Sequence, residues 1–61
     1  MMEIKWKYNN KSCEYIAQGK NHKHCISKDY DGYIYWHGHH FIGTFEKLKS
    51  AKQCAELIEF G

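Results

Sequence analysis

An α+β fold is expected for this 61-residue chain, because short alternating aromatic-rich segments run as far as Gly43 and a single helical period begins at Leu48. The architecture these imply is an antiparallel β-meander of three to five strands with one carboxy-terminal α-helix packed on one face. No linker, repeat or low-complexity tract divides residues 1–61, so one domain is expected. A domain of this size hides only about 60% of the surface its unfolded chain exposes. Its core must therefore be small, and a deep cleft that excludes water is not expected.

Taken in order, Ile4-Lys5-Trp6-Lys7-Tyr8 alternates apolar with charged side chains, the period of a half-buried strand. Asn9-Asn10 supplies a turn, since asparagine tolerates positive φ. Ser12 to Gln18 is the second strand, broken by Gly19-Lys20-Asn21, and His22 to Lys28 is the third. Asp29-Tyr30-Asp31-Gly32 is the strongest turn signal, with glycine at a position suited to a left-handed residue. Tyr33 to Trp36 forms a fourth strand, and a tight turn at His37-Gly38 leads to a fifth from His40 to Gly43. Beyond it, Leu48, Ala51, Cys54, Ala55 and Ile58 recur at helical spacing. Lys49, Lys52, Gln53, Glu56 and Glu59 fall opposite them, giving an amphipathic helix that ends at Phe60-Gly61.

Register decides which residues meet that helix, because a slip of one position reverses every side chain. A three-residue loop at Asp29 to Gly32 sets Ile26 across from Trp36, and a turn at His37-Gly38 sets Phe41 across from Ile34. The core face then holds Ile26, Ile34, Trp36 and Phe41. Tyr33, Tyr35, His40, Lys23 and Ser27 lie on the opposite face. Other loop lengths pair Cys25 with the Ile34 and Trp36 face, and the pattern leaves them open.

Composition narrows the function classes. The net charge is only +2, and all nine basic residues are lysines. Without arginine, the usual bidentate reader of guanine and phosphate, sequence-specific DNA reading loses ground. The three cysteines, Cys13, Cys25 and Cys54, include no Cys-x-x-Cys pair. With no apolar export signal at the amino terminus, this implies a reducing, cytoplasmic setting. No apolar run approaches the ~20 residues needed to span a bilayer, so no membrane partner is expected.

The carboxy-terminal half carries a resemblance. Asp31-Gly32-Tyr33 through Ile42-Gly43-Thr44-Phe45, then Glu46-Lys47-Leu48-Lys49-Ser50-Ala51-Lys52, resembles small phage and prophage proteins in which a sheet runs through an I-G-T-F strand end into a helix. More loosely, it is similar to the ethylene-response-factor type of DNA-binding domain and to the arm-binding domain of tyrosine recombinases. The likeness covers roughly His22 to Glu59. The phage-like group implies a small accessory or anti-host protein that works by occupying a partner. The ethylene-response-factor type implies a sheet face in the major groove with Tyr33, Tyr35 and Phe41 on or near it. That alignment turns Phe41 outward and Ile42 inward, the reverse of the pattern reading, and a bulge at Gly38 or Gly43 would reconcile the two. The family's base-reading arginines have no counterpart in this chain.

Histidines raise a metal reading. His22, His24, Cys25, His37, His39 and His40 offer many zinc ligands on neighbouring strands. In the three-residue register, however, His22 and His24 face away from His37. In a two- or four-residue register, His22, His24, His37 and His39 share a face. The favoured register leads us to expect no metal and no cofactor. Cys25 or Cys13 beside a histidine could serve as a nucleophile only with a lowered pKa, and both read more simply as small side chains of a sheet.

The ten aromatic residues exceed what one small core hides, so some tyrosines are expected at the surface, where their rings suit binding. The expected binding residues are Tyr33, Tyr35, His37, His40 and Lys23. The expected function is a small non-enzymatic binding protein, a phage-like regulator or inhibitor that occupies a host or phage protein through its open sheet face or edge. The alternative is a nucleic-acid-binding module that stacks bases on the Tyr/His/Lys face. An unpaired strand edge also admits a homodimer.

Overall fold

The computed structural model describes residues 4–61. Five strands, β1 (Lys7–Asn9), β2 (Glu14–Gln18), β3 (Lys23–Asp29), β4 (Gly32–His37) and β5 (His40–Phe45), precede one helix, α1 (Leu48–Phe60). The strands form one antiparallel sheet in the order β1-β2-β3-β4-β5. The α+β meander with a carboxy-terminal helix is thus what the sequence predicts. The first strand is shorter than the alternation suggests, for Ile4 to Trp6 lie outside the sheet while Ile4 still joins the core.

Turn lengths set the registry, and here the structure departs from expectation. Asp29 pairs with Gly32, which leaves a two-residue loop, Tyr30-Asp31, rather than three. Ile26 consequently lies opposite Tyr35, and Trp36 opposite Cys25. Gly32 is required for closeness instead of handedness: its φ is not positive, and a Cβ there would stand 2.3 Å from the Phe45 carbonyl oxygen. The next turn is Gly38-His39, one residue later than expected, with Gly38 at φ 65° as the first central residue of a two-residue hairpin. Trp36 then pairs with Phe41 and Tyr35 with Gly43, leaving Ile42 as the extra residue of a bulge. Between β1 and β2 the loop is Asn10 to Cys13, and Cys13 takes the left-handed φ of 56°.

One consequence is that the two faces are exchanged. Residues directly opposite across a ladder share a face, so Tyr15, Ala17, His24, Ile26, Tyr33, Tyr35 and Phe45 line the helix side. Of the four residues expected in the core, only Ile26 is there. Ile34, Trp36 and Phe41 face away from the helix, and Trp36 and Phe41 are 38% and 55% exposed.

Helix α1 seats on β4 and its neighbours β3 and β5. Ala51 and Ala55, both fully buried, let its backbone approach the fully buried ring of Tyr35, a small-against-large fit that fills the layer. Leu48 and Cys54 pack beside them, together with Trp6, Tyr15, Tyr33 and Phe45. The buried stripe is rotated from the apolar one. Ile58 is 39% exposed, whereas Lys52 and Glu59, both expected to face water, lie partly buried. Lys52 Nζ stands 5.3 Å from the centre of the Tyr15 ring and 5.9 Å from that of Trp6, an ammonium over two electron-rich faces. Among the described residues, no helix is long and apolar enough to cross a membrane.

Candidate functional site

The five expected binding residues do not form one surface. Tyr35 has no solvent exposure. Tyr33 is half-buried against the core with Lys28 Nζ 4.6 Å above its ring, and His37 is half-buried on the same helix side. His40 pairs with His37 at the exposed end of the β4–β5 hairpin. Lys23 alone lies on the open face, paired with Gln18. The physical reason is the two-residue loop, which turns the odd-numbered positions of β4 toward the helix. An exposed Tyr33/Tyr35 platform is thereby corrected to a buried one.

Beneath the helix, the structure builds a polar cluster instead. His24, fully buried on β3, accepts or donates at both ring nitrogens: Nδ1 lies 2.6 Å from the Tyr35 hydroxyl and Nε2 lies 2.8 Å from Glu59 Oε1. A carboxylate can only accept, so Nε2 carries a proton and, in the neutral ring, the Tyr35 O–H donates to Nδ1. The second Glu59 oxygen accepts the Lys20 backbone N–H at 2.9 Å. These contacts hold the Glu59 carboxyl below its usual range, the hydrogen bond from His24 first and that from Lys20 second. Burial pushes the Tyr35 phenol up to about 12. Among the described residues, no buried side-chain nitrogen or oxygen is left without a partner.

Two further histidines border this cluster. The His37 ring stacks on that of His24, with centroids 4.8 Å apart and planes 9° from parallel, and His22 meets His37 edge-on at 5.3 Å. Desolvation, and then the neighbouring His24 and His22, lower the pKa of His37. The sequence signal for this gathering is the pair of chemistry-bearing positions at the ends of two adjacent strands. Only the loop length brings them to one face. Glu59 gave no such signal, since its helical position reads as solvent-facing.

The opposite face is uncovered and mixed, with an apolar strip among polar residues such as Lys7, Gln18, Lys23 and Thr44. Ile16, Cys25, Ile34, Trp36 and Phe41 lie on it, with the Trp36 and Phe41 rings in an edge-to-face contact at 5.6 Å. Its polar centre is closed on itself: the Cys25 thiol and the Ser27 hydroxyl donate to Glu14 Oε2 at 3.2 and 3.0 Å. Burial, followed by the hydrogen bond to Glu14, raises the Cys25 thiol to about 11. A nucleophilic cysteine needs the reverse. Toward the β1 edge, Lys5, Lys7, Lys11 and Lys23 surround a shallow groove that also includes Tyr8 and Ile16.

Set against protein-family models, curated proteins and solved structures, the chain matches none of them.

Proposed function

We propose that this is a small non-enzymatic binding protein that docks a partner protein on the open face of its sheet. The observation that carries this reading is the Trp36–Phe41 pair, two exposed rings in contact on the open face, toward its β5 edge. Aromatic anchors flanked by aliphatic side chains are the usual core of a protein interface, and Ile16, Ile34 and Cys25 supply that flank. The face extends to the outer edge of β5, where Ile42 is 38% exposed, so a partner segment could lie against rings and strand edge together. Two features support the absence of catalysis. The Cys25 thiol is pushed up to about 11, and the Tyr35 hydroxyl is spent inside the core on His24. A phage-like regulator or inhibitor that occupies a host or phage protein would work in this manner.

The groove of Lys5, Lys7, Lys11 and Lys23 favours a second reading, the backbone of a single-stranded nucleic acid with Tyr8 as a stacking ring. Affinity purification from the native host separates the two. Tagged wild type and a Trp36→Lys/Phe41→Lys variant are compared at low and at 0.5 M salt. A stoichiometric protein partner retained by wild type at both salts and lost by a variant with an unchanged melting curve supports protein docking. Capture that is indifferent to both substitutions, or nucleic acid that elutes with salt, removes it.

A further inference from the structure

We propose that His24, His37 and Glu59 bind one Zn²⁺ ion, with His22 able to supply the fourth ligand. One ligand atom from each of the three residues lies within 4.8 Å of the other two. Two imidazoles and a carboxylate are a donor set zinc accepts, and neither calcium nor magnesium favours imidazole. Tetrahedral zinc with bonds of about 2.0–2.1 Å sets its donors about 3.4 Å apart. The 2.8 Å His24–Glu59 contact must therefore open slightly while the half-buried His37 ring swings in.

The supporting shell is already built. His24 is held through Nδ1 by the Tyr35 hydroxyl, and Glu59 is held through its second oxygen by the Lys20 N–H. Metal ligands are usually oriented by such outer contacts on the atom that does not bind. When Nε2 takes the metal, its proton moves to Nδ1, where the Tyr35 oxygen accepts it. Gly19 closes the site from the β2–β3 loop with no room to spare, since a Cβ there would stand 2.7 Å from His24 Nε2 and 2.5 Å from Glu59 Oε1. The His37 ring makes no hydrogen bond among the described residues, which leaves its nitrogens available. His22, exposed and edge-on to His37, is the nearest further imidazole. The ion would tie the last turn of α1 to β3 and β4.

Chelator-stripped protein titrated with zinc chloride in a calorimeter, with parallel melting curves, tests the site. The expected result is one ion per chain with a Kd below about 100 µM, and a melting temperature about 10 °C or more higher at a hundredfold excess over Kd. His37→Gln, whose apo form folds because the ring lies outside the His24–Glu59 contact, should weaken binding at least about tenfold. Glu59→Gln, which keeps a hydrogen-bonding side chain, should do the same. A His39→Gln/His40→Gln variant should bind as wild type does. Absence of one-to-one binding, binding that survives His37→Gln, or binding lost in the His39/His40 variant would each overturn the proposal.

Discussion

Glu59 reaches from the last turn of the helix to His24 on the sheet, and the 2.8 Å contact between them joins the two layers at a point where both side chains are buried. Removing His24 leaves the Tyr35 hydroxyl and the Glu59 carboxylate without their shared partner and opens a hole between them. His24→Ala is expected to cost about 3 kcal/mol, the scale for breaking a buried hydrogen-bonded pair. Urea unfolding monitored by tryptophan fluorescence reads it, and a loss near zero would mean that water replaces the ring without penalty.

Tyr35→Phe isolates the other half of the network. The ring and its packing against Ala51 and Ala55 stay, and only the hydroxyl that serves His24 Nδ1 goes. A destabilisation of about 1–2 kcal/mol is expected. Trp36→Thr, one residue along on the open face, should cost less than about 1 kcal/mol. The reverse order in denaturant midpoints would place the helix on the wrong side of the sheet.

Gly19→Ala should destabilise by about 1–3 kcal/mol, the range for overpacking. Its Cβ would fall 2.5 Å from both Glu59 Oε1 and the His22 carbonyl oxygen. The carboxylate can yield but the backbone at His22 cannot. A melting temperature equal to wild type would show that the β2–β3 loop rearranges at no cost.

Glu14 carries a pH dependence. Hydrogen bonds from Cys25, Ser12 and Ser27 lower its pKa in the folded protein. The stability this adds is present above the unfolded carboxylate value of about 4.3 and is lost as pH falls through the lower folded value. Glu14→Gln should flatten that part of the acid limb of stability against pH. An unchanged limb would assign it to other carboxylates.

Burial, and then the hydrogen bond to Glu14, protects Cys25. With its thiol at about 11, alkylation by iodoacetamide at pH 8 should mark exposed Cys13 well before Cys25. Peptide mapping over time gives the order, and equal rates would contradict the burial of Cys25 in the open face.

Strand count, helix position and antiparallel order were legible because they rest on local features: glycine and asparagine breaks, aromatic segments and a change of period at Leu48. The faces of the sheet were not. Tyr33, Ile34, Tyr35 and Trp36 are all apolar enough to be buried, so alternation has nothing to alternate between, and either parity satisfies it. Likewise, Glu59 sits on the polar stripe of the helix by every periodic criterion. Nothing in its neighbours along the chain announces a histidine thirty-five residues earlier.

By itself, the order of residues determined that a meander would form and that one helix would follow it, since propensity and turn chemistry act between near neighbours. Tertiary structure decided that Tyr35, His24 and Glu59 would share the interior and that Trp36 and Phe41 would be left outside. That choice turns on a loop of two residues instead of three between Asp29 and Gly32. A single position in a hairpin inverts both faces of a sheet, and a buried tyrosine is tolerable only where a partner such as His24 Nδ1 stands ready to satisfy its hydroxyl.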